Sequence, residues 1–419
     1  MMKKLVSFCI VLVVSVMLVA CSGKSSGDGK KTLEVALWDE NVSDAVDASI
    51  ESFEKEHPDI DVKVTYTPFA EYWTKLRTSL GGGSGPDVFW MNGPNFYQYV
   101  TSDLIKDLEP FLEGDEEFAK ENYYPAVVDL YSYEDKLYAA PYFVDSVGLF
   151  YNKKFFDEAG LDYPDETWTW EDIEKVGAEL TKPEEGTYGY LNQVVRNQAG
   201  YYNLMHQAGG YVISEDKTKS GFNTPEAKET FEFLNRLIEK KISPTAQAQI
   251  ETEADQWFMS QKVAMIPEIS VHAAEYEEVL GEDLGVAPLP KGKVDTSIVH
   301  GIGWAMNSKT KDEDLAWELI KSLSNKEGTT VMAETGFATP AHMEISKVWL
   351  DSLPNVELQV FLDALEKATA YPVSERTSEW QTVETTEIQG AFLGQKSIDE
   401  ALEKIDKEMN AILEEEQKD

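Results

Sequence analysis

Between Leu33 and Tyr66 the apolar spacing changes period twice, and that change restricts the possible folds more than any other feature of the chain. Leu33, Val35 and Leu37 alternate with Glu34 and Ala36, the period of a strand with one buried face. The polar run Asp39-Glu40-Asn41 ends it, and Ser43 is placed to cap a helix whose Val46, Ile50 and Phe53 share one face and which Pro58 stops. Ile60, Val62, Val64 and Tyr66 then alternate with Asp61, Lys63 and Thr65. Strand, helix and strand in that order call for parallel pairing through a right-handed crossover, the unit of an α/β fold. The loop after Leu37 then opens at the carboxyl edge of the sheet, where such folds hold ligands.

Later segments follow the same grammar. A helix around Tyr72 to Leu80 precedes GGGSGPDVFWM, where glycines and Pro86 turn the chain into a strand from Val88 to Met91. No Lys-Ser/Thr pair follows these glycines and they lead into a strand, so they are not a phosphate loop. Ser146 to Tyr151, Gly285 to Leu289 and Gly303 to Met306 read as strands, and Asp314 to Leu323 and Ile398 to Leu413 as helices. Thr169-Trp170-Glu171-Asp172 has the form of a capping box, with Ile173, Val176 and Leu180 as the apolar face behind it. Short-period repeats are lacking, which excludes solenoids and propellers. At 419 residues the chain exceeds what one core usually serves, so at least two domains are expected.

Lys3 and Lys4 precede an uncharged apolar run from Leu5 to Ala20, shorter than the roughly 20 residues a membrane-spanning helix needs. The pattern is that of a secretion signal, residues 1–20. Cys9 lies inside it, so a processed chain keeps Cys21 alone and forms no disulfide. Ser22 to Lys31 holds no large apolar residue and reads as a flexible tether of roughly 17 Å span, with the folded body starting near Thr32.

The formal net charge is −39, and removing residues 1–20, with two lysines and no acids, leaves −41. Nucleic acid is excluded as a partner because phosphate binding needs a basic surface. Strongly anionic solutes are disfavoured on the same ground, whereas a neutral one meets no penalty. The sequence has no HExxH pair, and its five histidines lack metal-ligand spacing. Binding without catalysis, cofactor or metal is therefore expected. A secreted glycoside-active enzyme is the competing class, since such enzymes also combine paired carboxylates with aromatic subsites.

FEKEHPDIDV, KLRTSLGGGSGPDVFWM, LYAAPYFVDSVGLFYNKKFFDEAGLDYPDETWTWEDI, WFMSQKVAMI, LGVAPLPKGK with HGIGWAMNSKTKDEDLAWELIKSLSNKEG, and FATPA occur in that order. As a series they resemble family 1 of the extracellular solute-binding proteins, the sugar-binding subunits of ABC transporters that include maltodextrin-binding protein. The resemblance implies a two-lobed, periplasmic-binding-protein-like (type II) α/β fold with a hinge and an interlobe ligand cleft. It implies lobe 1 at 32–143 plus 300–345, lobe 2 at 146–298 plus 350–419, and crossings near 143–146, 297–300 and 345–350. Leu18-Val19-Ala20-Cys21 resembles a bacterial lipobox, implying cleavage before Cys21 and a lipid on it that holds the protein to the outer face of the cell membrane. The implied partners are a carbohydrate and the transmembrane subunits of an ABC permease, with the binding protein itself a monomer.

A sugar presents hydroxyl edges and flat C–H faces, so its site needs carboxylates or amides for the first and rings for the second. Asp145 matches an acidic sugar-binding position of the family at the hinge. Asp39, Glu40 and Asn41 fall where the family's first strand ends in a ligand-facing loop, and Asn92 ends the PDVFWM strand at the corresponding edge. Trp380 matches a stacking tryptophan of the family, Trp304 falls in a segment that lines many family clefts, and Tyr72 is a further candidate, whereas Trp317 shares an apolar stripe with Ala316, Ile320 and Leu323 and belongs to the core. The family's glycine and tryptophan after WFMSQKVAMI are replaced by Pro267-Glu268-Ile269-Ser270, so Glu268 would offer a hydrogen-bonding wall in place of a ring. The runner-up ligands are a polyol, a glycerophosphodiester or an osmolyte, for which Arg196 and Arg376 would be the available cations.

Overall fold

The computed structural model describes residues 30–418 apart from 114, 116 and 117. The secretion signal, Cys21 and the tether up to residue 29 lie outside the described residues. Strand β1 (Lys31–Leu37) starts inside the segment expected to be tether, because Lys31 already pairs with Ile60. Helix α1 (Ser43–Glu56) carries Val46, Ile50 and Phe53 into the core, and β2 (Ile60–Tyr66) runs parallel to β1 with Leu33 opposite Val62 and Leu37 opposite Tyr66. Ser43 is not the cap expected of it. Asp39 accepts the Asn41 amide at 2.9 Å and starts a 3-10 turn over Glu40–Val42, so the helix continues an existing turn.

Helix α2 (Phe69–Gly81) leads through the glycines, with Gly83 at φ +72°, into β3 (Val88–Asn92), which also runs parallel to β1. Helix α3 (Gly93–Thr101) follows at once, with Asn92 as its cap. Two long segments then cross this sheet. Strand β4 (Ala139–Asp145) reaches the edge, and one residue later β5 (Val147–Asn152) opens a second sheet, where it lies between β6 (Met265–Ile269) and β7 (Leu284–Ala287), antiparallel to both. Strand β8 (Ile298–Met306) brings the chain back, antiparallel to β3 and β4, and β9 (Thr369–Ala370) adds to its start.

Every residue of β4 and β8 is buried, so neither shows the alternation that would mark a strand in sequence. Pro267 is tolerated in β6 because that strand lies at the edge of its sheet, where a missing N–H breaks no ladder. Phe150, Phe258, Tyr276, Trp349 and Phe361 form a core cluster around the second sheet. The crossing is tied by Ser146, whose hydroxyl donates to Phe361 O at 2.8 Å, and by the Val147 amide, which donates to Ser297 Oγ at 2.9 Å. Thr169 and Asp172 form the expected capping box on the helix Trp170–Leu180, and Ser397 and Glu400 form another on Ile398–Glu416. Among the described residues no helix is long and apolar enough to cross a membrane.

Candidate functional site: the cleft between the two sheets

Where β4 and β8 pass from one sheet to the other, a cleft of ≈ 460 Å³ opens, within the range of small-molecule sites. Its first wall is built at the carboxyl ends of β1 and β3, as the strand-helix-strand order requires. Trp38 and Asp39 follow β1, Phe69 begins α2, and Asn92 ends β3. Trp38 is held edge-on by Phe69 at 5.6 Å, by Tyr72 at 5.1 Å and by Trp90 at 4.8 Å between ring centroids, so it is fixed before any ligand arrives. Phe69 remains 53% exposed, an apolar surface that water leaves readily. Asn92 accepts from the Asn95 amide and side chain at 3.3 and 2.9 Å.

The facing wall comes from the second sheet and its loops: Arg196, Asn197 and Gln198, with Ile269 at the end of β6 and Val271 and His272 just after it. Asp145, His300 and Tyr371 lie at the base, one from each segment that runs between the sheets. An adjoining pocket of ≈ 240 Å³ shares Arg196, Asn197, Gln198 and Ile269 with the cleft and adds Tyr201, Glu268 and Thr385. The accessible space therefore extends past the ion pair of Arg196 and Glu268, whose closest contact is 2.6 Å.

Charge within the site is unevenly distributed. Asp145 is 3% exposed and accepts only a long hydrogen bond, 3.4 Å, from Ser270 among the described residues. Burial pushes its carboxyl up to about 7, against the opposing pull of His272 and Ser270. Burial likewise raises Asp39 above the usual carboxylate range. Burial works against a charge on His272, but Glu275, Glu268 and Asp255 outweigh it and lift the imidazole to about 9. The second wall thus presents two cations, Arg196 and His272, opposite acids on the first wall and at the base.

Asp255, Glu268 and His272 also bring ligand-type atoms within 4.8 Å of one another. Glu268 gives both oxygens to Arg196, and Asp255 accepts from the Tyr276 hydroxyl. A metal ion would have to displace a guanidinium from a buried carboxylate, so this group fits an ion-pair network rather than a metal centre.

Of the residues read from sequence, Asp39, Asn92 and Asp145 line the cleft, and Glu268 lines its extension. Glu40 and Asn41 are exposed beside it and do not line it. Three aromatic expectations are corrected. Tyr72 is 2% exposed and donates to Ala36 O and Trp90 O at 3.1 and 2.9 Å, bracing the wall from behind. Trp304 has no exposure, because Trp90 and Tyr142 pack on it at 5.8 and 5.3 Å. Trp380 is equally buried, its Nε1 donating to Ser374 Oγ at 3.0 Å. The aromatic residues that do line the cleft are Trp38, Phe69, Phe143, Phe337 and Tyr371, with the fully buried Trp90 packed against Trp38. Trp38 could have been found as the neighbour of Asp39; Tyr371 and His300 carry no local signal.

A family model for bacterial extracellular solute-binding proteins matches residues 30–330. A galactooligosaccharide-binding protein of Bacillus subtilis is 28% identical over 357 residues, covering 81% of this chain and 81% of that protein. A maltodextrin-binding protein of the same organism is 26% identical over 396 residues, 91% and 90% of the two chains. An ABC substrate-binding protein of Listeria monocytogenes, solved in complex with cycloalternan, superposes with a TM-score of 0.86 at 24% identity, over 92% of this chain and 99% of that one. The last likeness establishes the two-lobed fold, and the extent of the family match settles the wider assignment. This chain belongs to the bacterial extracellular solute-binding protein family, whose place is outside the cytoplasm.

Proposed function

We propose that the protein is the solute-capturing subunit of an ABC importer, holding an uncharged oligosaccharide between its lobes and passing it unaltered to a membrane permease. The observation that carries this reading is the lining of the cleft. Acceptors on Asp39 and Asp145 and the side-chain amide donor of Asn92 stand among the aromatic surfaces of Trp38, Phe69 and Tyr371, the pairing that hydroxyl edges and C–H faces require. The extension beyond Arg196 supports a ligand longer than one ring. The relatives described above are binding proteins, which supports capture without chemistry.

In this reading the lobes comprise 32–143 with 300–345 and 146–298 with 350–419. Cys21 carries the lipid that keeps a monomeric body at the membrane, and the transmembrane subunits of the permease receive the sugar. A thermal-shift screen over maltotriose, galactotriose, arabinotriose, mannitol and glycerophosphodiesters tests it. An oligosaccharide at 100 times its dissociation constant stabilises by about 2.7 kcal/mol. A shift with mannitol or a phosphodiester alone would replace the sugar reading with one of a smaller solute.

A further inference from the structure

His300 lies at the base of the cleft and makes two very different edges available. In the ladder between β8 and β4 it stands directly opposite Asp145. Side chains so paired leave the same face of a sheet with their Cβ atoms about 4.5–5.5 Å apart. On the other side of β8, Tyr371 follows β9, and its ring meets the imidazole edge-on at 5.0 Å. All three residues line the cleft. His300 is thus the middle member of a row that crosses the floor.

One ring nitrogen is committed. The Gly93 amide, at the first position of α3 and without an intrahelical acceptor, donates to His300 Nε2 at 3.1 Å. The approach depends on glycine, since a Cβ there would lie 3.2 Å from the same nitrogen and 2.9 Å from Leu130. An imidazole that accepts at Nε2 carries its proton at Nδ1 when neutral. Burial pushes His300 far below the usual histidine range, so the ring is neutral at physiological pH. Among the described residues, no acceptor meets Nδ1.

We propose that His300 is a specificity-determining residue of the cleft, its Nδ1–H a donor of fixed tautomer that, beside the Asp145 acceptor, selects solutes offering an acceptor oxygen next to a hydroxyl. Such a pair reads a vicinal diol: one hydroxyl donates to Asp145 while the neighbouring oxygen accepts from His300. A neutral N–H in this place also turns away an ammonium group, which has nothing to accept with. This rests on the oligosaccharide reading, and it adds a residue and a polarity to it.

Two substitutions separate the roles of the two nitrogens. A glutamine amide reaches the position of Nε2 and an asparagine amide that of Nδ1. His300→Gln therefore keeps an acceptor for Gly93 and loses the donor, whereas His300→Asn keeps a donor and loses the acceptor. Affinity is measured by calorimetry for whichever of maltotriose, galactotriose and arabinotriose binds wild-type protein, together with the melting temperature and the tautomer of His300 from long-range 1H–15N spectra. The expected result is an Nδ1–H ring, a loss of affinity of about tenfold or more in His300→Gln at nearly unchanged melting temperature, and a smaller loss of affinity with a lower melting temperature in His300→Asn. Wild-type affinity in a folded His300→Gln would overturn the inference and leave the sugar reading standing. Should no sugar bind wild-type protein, the sugar reading fails; an Nε2–H ring would then overturn the fixed donor as well, and an Nδ1–H ring would uphold it.

Discussion

Arg196 spans Glu268 with both guanidinium arms, at 2.6 and 3.4 Å, and this pair stands where the resemblance led one to expect a ring. Glu268 is wholly buried, whereas the Arg196 side chain is 36% exposed. Removing the arginine strands a carboxylate in the interior. Arg196→Met should therefore destabilise the protein by about 2–3 kcal/mol, less than the about 3–5 kcal/mol of a fully buried pair because Arg196 reaches solvent. Urea unfolding measures this, and Arg196→Met combined with Glu268→Leu should recover most of the loss. A change below about 0.5 kcal/mol in the single variant would show that Glu268 does not depend on its partner.

In the proposed reading Asp145 accepts hydrogen bonds from sugar hydroxyls, a role that belongs to its ionised form. Its folded, ligand-free carboxyl is pushed up to about 7, so at pH 6 most of it is protonated and must lose that proton before accepting two hydroxyls. Affinity in wild-type protein should rise about five- to tenfold from pH 6 to pH 8. Asp145→Asn should flatten that rise, and Asp145→Ala should weaken binding at least tenfold at pH 8. Calorimetric titrations at the two pH values decide, and a steep rise that survives in Asp145→Asn would assign it to another group.

Glu384 is buried with hydroxyls of Tyr201 and Tyr202 on its carboxyl, the latter at 2.7 Å. Burial raises it to about 8 despite those donors, well above the ordinary value of 4.5. Between these two values the unfolded chain has released a proton that the folded protein keeps, so stability falls as pH rises from about 4.5 to 8. His272 and Asp145 act in the same direction, each with its folded value raised. Below about pH 6.5 the buried His206 and His300, both held under the ordinary histidine value, act in the opposite sense, so melting temperature should decline from about pH 6.5 to 8, and Glu384→Gln should make that decline shallower. An unchanged slope in that variant would remove Glu384 as a contributor.

Gly301 lies on β8 opposite Val144, one residue beyond the His300 and Asp145 pair. A Cβ at this position would fall 2.5 Å from Phe143 O and 2.9 Å from Val127, so the two crossing strands can approach only if the residue is glycine. Gly301→Ala should cost about 1–3 kcal/mol of stability through overpacking. It should also weaken sugar binding, because the base of the cleft must open to admit the methyl. Full affinity with unchanged unfolding would show that the ladder is looser than its spacing indicates.

Legibility followed exposure. β1, α1, β2 and β3 can be read from the sequence because one face of each differs in polarity from the other, or because glycine and proline punctuate them. β4 and the first half of β8 cannot, since every residue in them is buried and the period vanishes; of β8 only Gly303 to Met306 is read as strand. The first wall of the site was legible for the same reason as the first strands: Asp39 and Asn92 stand where apolar runs end at a carboxyl edge. Trp304 and Trp380 were placed at the cleft by resemblance, and their burial under Tyr142 and beside Ser374 depends on packing that spacing does not encode. His300 and Tyr371 gain their place through pairing between segments far apart in the chain.

The central claim is tested most directly by titrating the body from Lys30 onward, which keeps all of β1, with maltotriose, galactotriose and arabinotriose in a calorimeter and then recovering the sugar for chromatography. Saturable one-to-one binding of at least one of them, with the sugar returned at its original length, is the predicted result. Heat from none of the three, or recovery of shortened sugar, would contradict it.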